Sequence, residues 1–215
     1  MTDCIKKDDV SAVFARKPLL TCDNVWIERA GYPLFEGVGF TLLEGAGLTL
    51  KGANGAGKTT LLKILAGIIQ PSVGEVSLQA GKDATDILFI GHNNALKLDA
   101  TVYENLLFWA DMRGEPMLLG AAVSHFNLQH LIDTPCRELS AGWRRRVTLA
   151  KLMCCPSKLW LLDEPTANLD ADGEKMVLNL IKARLGGGGG VIAAMHHVSD
   201  DYAEVLPHAV CVEDF

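Results

Sequence analysis

A chain of 215 residues with 49% hydrophobic content is long enough to bury one sizeable core and too apolar to be disordered. Its net charge of −6 supplies no basic field for nucleic acid. No run of about 18 apolar residues is present to cross a bilayer.

Residues 1–18 read as an N-terminal extension, polar and with three aspartates in the first ten positions, unlike a secretory leader. A single domain is expected over residues 19–215. Leu19 to Ile27 and Val38 to Leu43 have strand composition and flank a turn near Gly31-Tyr32-Pro33. Gly47 to Lys51 is a third strand, and it runs directly into a glycine-rich loop at 52–59. A helical run follows and stops at Ala66-Gly67. Pro71 to Gly74 turns into a strand at Glu75 to Leu78, and Ile87 to Ile90 is another. From Thr101 the spacing becomes helical as far as Arg113, then over Met117 to Phe126 and Ala141 to Cys154. Leu159 to Leu162 is continuously apolar, as in a strand buried on both faces of a parallel sheet. A helix over Asp172 to Leu185 and a buried strand over Val191 to Met195 come last. Gly186 to Gly190 precedes a strand and not a helix, which makes it a connector and not a phosphate loop. Strands alternating with helices predict an α/β fold, with residues 92–150 inserted as a helical subdomain. The six cysteines form no Cys-x-x-Cys pair, so neither a zinc site nor a disulfide framework is expected, and a reduced, cytoplasmic compartment fits.

The loop Gly52-Ala53-Asn54-Gly55-Ala56-Gly57-Lys58-Thr59 has glycine, four free positions, glycine, lysine and threonine, set between a strand and a helix. This P-loop pattern wraps backbone N–H groups around phosphate oxygens, because glycine lets the chain approach closely. The predicted ligand is a nucleoside triphosphate held by Asn54, Gly55, Ala56, Gly57, Lys58, Thr59 and Thr60. Lys58 reaches the outer phosphates, and Thr59 offers its hydroxyl to Mg²⁺. Asp163-Glu164 ends a buried strand. There Asp163 suits the oxygen shell of Mg²⁺ and Glu164 suits a base for the attacking water. Read without the loop upstream, Asp-Glu-Pro only begins a surface turn. Ser140 precedes a helix starting Ala141-Gly142-Trp143 and followed by Arg144-Arg145-Arg146. As an N-cap it has an ordinary structural use, while with the Gly142 N–H it also forms an anion site.

These motifs occur in a fixed order: the phosphate loop, Leu139-Ser140-Ala141-Gly142-Trp143, a hydrophobic-Asp-Glu-Pro run, a loop ending in Leu169-Asp170, and a histidine after a strand. In that order the chain resembles the ATP-binding cassette superfamily from about Leu19 onward. The resemblance implies a P-loop NTPase of ABC type, with a mixed sheet core and an inserted α-helical subdomain. It implies an ATPase that uses ATP and Mg²⁺, with Glu164 as base and His196 against the γ-phosphate; His197 is the weaker alternative, one register step away. It also implies a head-to-tail dimer, either a homodimer or a pairing with a second cassette. ATP would lie between Lys58 of one chain and Ser140 and Gly142 of the other, with Asp170 in the loop that communicates across.

This chain departs from the family pattern in places. The signature carries Ala141 for glycine and Trp143 for glutamine, and Trp143 is expected against the partner. Where the family has a glutamine linking Mg²⁺ to the membrane subunits, His92 or, one residue on, Asn93 stands here. Where an aromatic stacks on adenine, Arg29 stands, with Tyr32 as alternative.

Gly91-His92 followed by Thr101-Val102-Tyr103-Glu104-Asn105-Leu106, together with Leu-Ser-Ala-Gly and Leu-Trp-Leu-Leu-Asp-Glu-Pro, resembles one subfamily in particular: the ATP-binding subunits of haem exporters in cytochrome c maturation. That resemblance implies integral-membrane permease partners and a peripheral place on the cytoplasmic face of the bacterial inner membrane. Small exporters of another substrate and non-transport cassettes are the alternatives. Nucleic acid is not an expected partner.

Overall fold

The computed structural model describes residues 16–29, 31–79, 86–113 and 115–212. The expected extension over 1–18 lies mostly outside them, and β1 already begins at Pro18. β1 (Pro18–Arg29) pairs antiparallel with β2 (Tyr32–Leu43) and with β4 (Val73–Leu78), in the order β2-β1-β4. A second sheet is parallel, in the order β5-β6-β7-β3-β8. Its strands are β5 (Ile87–Ile90), β6 (Leu159–Asp163), β7 (Gly190–Ala194), β3 (Gly47–Lys51) and β8 (His208–Cys211). Both kinds of pairing expected of a mixed α/β core are present, divided between two sheets.

The turn expected at Gly31-Tyr32-Pro33 is tighter than predicted, because β2 starts at Tyr32 and includes Pro33 opposite Glu28. β2 lies at the edge of its sheet, where the missing proline N–H costs no ladder bond. Helix α1 (Lys58–Leu65) packs between the two sheets. Its Leu61, Leu62, Ile64 and Leu65 meet Phe35, Val38 and Leu42 of the antiparallel sheet and Leu48, Leu50, Leu161 and Ile192 of the parallel one.

The period-2 alternation of a strand explains how the parallel sheet serves two cores. Leu159, Leu161, Ile192 and Ala194 face α1, while Trp160, Leu162, Val191 and Ala193 face the remaining helices. Those helices are α2 (Val102–Met112), α3 (Leu119–His125), α4 (Ala141–Cys154), α5 (Ala171–Gly186) and α6 (Asp200–Val205). α2 starts where expected because Thr101 and Glu104 form a reciprocal capping box. α3 starts two residues late, after a single 3₁₀ turn at Pro116–Leu118. The glycine run does join α5 to β7. A Cβ at Gly190 would lie 2.4 Å from Leu19 Cδ2 and 2.7 Å from Leu42 Cδ2, so any larger residue at the start of β7 would force these buried leucines of the first sheet to shift.

Cys22, Cys136, Cys154 and Cys155 are free and buried, in accord with the expected reduced thiols. Cys211 on β8 departs from that expectation and is disulfide-bonded.

Candidate functional site

Three glycines of the loop between β3 and α1 take positive φ: 145° at Gly52, 90° at Gly55 and 100° at Gly57. Gly57 caps α1 without a side chain, so no side-chain oxygen occupies the N–H groups of the first turn. Asn54 and Gly55 are exposed, while Ala56, Gly57, Thr59 and Thr60 are half-buried. Lys58 is only 7% exposed, and its ammonium spans the loop. Nζ donates to the carbonyls of Gly52 at 2.5 Å and Ala53 at 2.8 Å. The loop thus shapes itself around the lysine that is to meet phosphate.

Sheet order decides what gathers beside this loop. β5, β6, β7 and β3 are neighbours and run parallel, so the residues that follow each strand collect at one edge. From β6 comes Asp163, 2% exposed, whose Oδ2 accepts the Thr59 hydroxyl at 2.9 Å. Next is Glu164, held at a left-handed φ of 49° with its N–H donating to the Ala194 carbonyl of β7. After β7 comes His196, whose Nε2 lies 2.6 Å from Glu164 Oε1. After β5 comes His92, whose Nδ1 lies 3.5 Å from Glu164 Oε2. One carboxylate therefore sits between two imidazoles. His197 and Asn93 are exposed neighbours, and it is His92 and His196 that reach that carboxylate. Glu164, Thr166, His196 and His197 line part of a cleft of about 230 Å³.

A second group forms on α4 and the loop after β6. Ser140 caps α4, its Oγ accepting the Trp143 N–H at 3.3 Å. Gly142 runs so close to that loop that a Cβ would stand 2.8 Å from the Asn168 carbonyl. Asp170 caps α5 by accepting the Gly173 N–H at 2.9 Å, and it also accepts Arg146 at 2.5 Å. Those two bonds hold the Asp170 carboxyl below the usual carboxylate range. Trp143 is half-buried within its own chain. It packs edge-on against His130 at 5.1 Å and beneath the Arg146 guanidinium at 4.8 Å. Nothing in the sequence signalled these local contacts, and they leave Trp143 partly exposed.

Arg145 went unnoticed in the sequence beyond its membership of a triple-arginine run. It is 2% exposed and donates to three backbone carbonyls: Gly91 at 3.0 Å, Asp163 at 2.8 Å and Glu164 at 2.7 Å. Burial pushes its pKa down, partly offset by the Asp163 and Glu164 charges. Lys151, one further turn and a half along α4, was also missed. It donates to the carbonyls of Asn94 at 3.2 Å and Ala95 at 2.9 Å and lies over the Trp109 ring at 4.7 Å. Charged residues inside an otherwise apolar helical pattern were the available signal for both.

The donor set fits a hard divalent cation, since Thr59 and Asp163 bring a hydroxyl and a buried carboxylate together. Among the described residues no cluster of His, Cys, Asp and Glu suits a softer metal. For adenine stacking, Tyr32 is 75% exposed, whereas the side chain of Arg29 lies outside the described residues; Arg29 ends β1 opposite Tyr32.

Residues 35–167 match the family model described as ABC transporter. A protein of Rhodopseudomonas palustris (strain BisB5) named "Cytochrome c biogenesis ATP-binding export protein CcmA" is 42% identical over 173 residues, covering 78% of this chain and 86% of the relative. One of the same name from Paracoccus denitrificans (strain Pd 1222) is 44% identical, covering 83% of this chain and 82% of the relative. The structure of cbiO1 from Clostridium perfringens, part of the ABC transporter complex cbiONQ, aligns with a TM-score of 0.74 and 24% identity, covering 90% of this chain and 84% of that one. Another, described as the ATP binding subunit of an ABC transporter, aligns with a TM-score of 0.77 and 22% identity over 84% of this chain and 80% of that one. At such identities the two structures speak for the fold.

Proposed function

The chain belongs to the ABC transporter family and is an ATPase of that type. From that premise we propose that it is the subunit whose ATP hydrolysis drives an integral-membrane permease, with haem export for cytochrome c biogenesis as the process served. The names of the relatives support the process, and Gly91-His92 with the Leu-Ser-Ala-Gly signature supports the resemblance to that subfamily. The observation that carries the activity is the meeting of Thr59, Asp163, Glu164 and His196 at one edge of the parallel sheet.

In this reading ATP is the nucleotide. Residues 54–60 receive its phosphates through backbone N–H groups. Lys58 exchanges two carbonyl bonds for phosphate oxygens at little cost, because it is already desolvated. Thr59 and Asp163 would hold Mg²⁺, which supplies positive charge to the phosphate oxygens. Glu164 takes a proton from the attacking water. His196 fixes the orientation of the Glu164 carboxylate and faces the γ-phosphate. His92, within 3.5 Å of Glu164, is a better placed substitute for the family glutamine than Asn93. Tyr32 or Arg29 covers the adenine.

Ser140 and Gly142 close on the nucleotide of an opposing cassette, a second copy or a different one, in head-to-tail array. Asp170 carries the message across that interface. Residues 19–215 form the cassette, with 92–150 as its helical subdomain. No described helix is long and apolar enough to cross a membrane, which accords with peripheral attachment through a permease on the cytoplasmic face of the inner membrane.

Glu164→Gln tests the chemistry. It keeps the shape of the side chain but removes its basicity, so hydrolysis should fall at least about 100-fold while ATP binding persists. Phosphate release by protein co-purified with its membrane partners measures this. Parent-rate turnover by the variant removes Glu164 as base. Recovery of small multi-span subunits with haem-handling partners supports the process, whereas an unrelated permease leaves a transport ATPase with another cargo.

A further inference from the structure

We infer that Arg145 is a positioning residue for hydrolysis, clamping the ends of β5 and β6 so that Glu164 stays aimed and His92 stays beside it. The inference rests on the reading of Glu164 as base. β5 and β6 are adjacent, and Ile90 pairs with Leu162, so Gly91 and Asp163-Glu164 leave the sheet side by side. One buried guanidinium bonds the carbonyls of all three residues. The planar fork suits this task, since two separated N–H groups reach two strand ends at once. Nη1 holds Gly91, and Nη2 holds Asp163 and Glu164.

The clamp acts on a backbone that needs holding. Glu164 has φ 49°, a conformation that an L-residue with a long side chain adopts only under constraint from its surroundings. Three bonds supply that constraint: its N–H donates to Ala194, and its carbonyl accepts both the Ala167 N–H and Arg145, the one side chain among them. Rotation of this peptide would swing the carboxylate away from His196. Gly91 precedes His92, so the same guanidinium fixes the chain entering the loop that brings His92 to the other carboxylate oxygen.

Stability alone is a weak reason for such a group. Burying a guanidinium without a carboxylate partner is costly, and the Arg145 Nε is buried with no hydrogen-bond partner at all. Arg145 also stands on α4, which Ser140 caps and whose first turn carries Gly142. Its neighbour Arg146 holds Asp170. A shift of α4 is therefore felt by the Glu164 backbone through one residue and by the Asp170 loop through the next. This gives contacts made at the α4 N-terminus a direct mechanical route to the base of the same chain.

The test compares Arg145→Gln and Arg145→Lys with the parent and with Glu164→Gln, each purified with its membrane partners. Thermal unfolding establishes the folded fraction, and kcat and KM for ATP are taken per folded site. Misplacing a catalytic group by about 1 Å costs about 100-fold, so kcat for Arg145→Gln should fall about 10- to 100-fold. KM should stay within about twofold, because the phosphate loop is untouched. Arg145→Lys, which restores charge and one or two carbonyl bonds, should recover part of the loss. If Arg145→Gln does not fold, Arg145→Lys against the parent carries the same comparison. A folded Arg145→Gln with the parent kcat overturns the inference, as does a fall in rate that merely tracks the folded fraction. If Glu164→Gln itself turns over at the parent rate, the reading of the base fails, whatever the arginine variants do.

Discussion

Two glycines of the phosphate loop share a positive φ and differ in surroundings, which makes them a matched pair of probes. Gly55 has φ 90° with nothing within 4 Å of a built Cβ. Gly57 has φ 100°, and its Cβ would stand 2.8 Å from Phe35 Cδ1 and 3.0 Å from Leu34. Phe35 is 2% exposed and has no room to retreat. An alanine at a left-handed position costs about 1–2 kcal/mol, and both variants bear that cost. Overpacking adds about 1–3 kcal/mol, for Gly57→Ala alone. Gly55→Ala should therefore lose about 1–2 kcal/mol and Gly57→Ala about 2–5 kcal/mol. Urea unfolding without nucleotide, with both variants showing the parent m-value, measures the difference. The ranking should reverse for ligand: the open space over Gly55 is where phosphate is proposed to lie, so Gly55→Ala should weaken a fluorescent ATP analogue by more than its stability loss explains. Equal destabilisation by the two variants would refute the packing argument, and unchanged affinity in Gly55→Ala would refute the placement of phosphate.

Two further expectations concern the helical side of the molecule. Burial lowers the Lys151 pKa to about 8, below the value near 10.4 of an unfolded lysine. From about pH 8 to about pH 10 the unfolded chain holds the extra proton, so stability should rise with pH by up to about 1.4 kcal/mol per unit relative to Lys151→Met. Chemical denaturation of both proteins across that window checks the slope, and parallel curves would show that Lys151 titrates normally. Phe126, at the C-terminal end of α3, is fully buried in the core of the helical side, and Phe126→Ala should cost about 3–5 kcal/mol in unfolding free energy. A loss below 1 kcal/mol, on the scale of surface changes, would mean that the site refills.

Much of the fold was legible because local patterns agreed with tertiary placement. β5, α4 and the run at β6 fall where the periodicity put them: Leu159 to Leu162 needs apolar residues on both faces, and the proline at 156 ends the preceding helix. The elements missed are short. α6 has six residues and β8 has four, and each is held by neighbours more than by its own pattern. β8 exists because β3 offers it a parallel edge.

The site divides in the same way. Sequence by itself determined the phosphate loop, the Asp163-Glu164 pair and the helix cap at Ser140. Those features act through bonds within a few residues, so the spacing of side chains along the chain suffices to encode them. Only the tertiary structure decided that Glu164 lies between His92 and His196, that Trp143 packs against His130, and that Arg145 ties Gly91 to Glu164. These depend on sheet order, which sets β5 beside β6 although 68 residues lie between Ile90 and Leu159. Such neighbours are chosen by packing across the whole core, a quantity that no local run of residues carries.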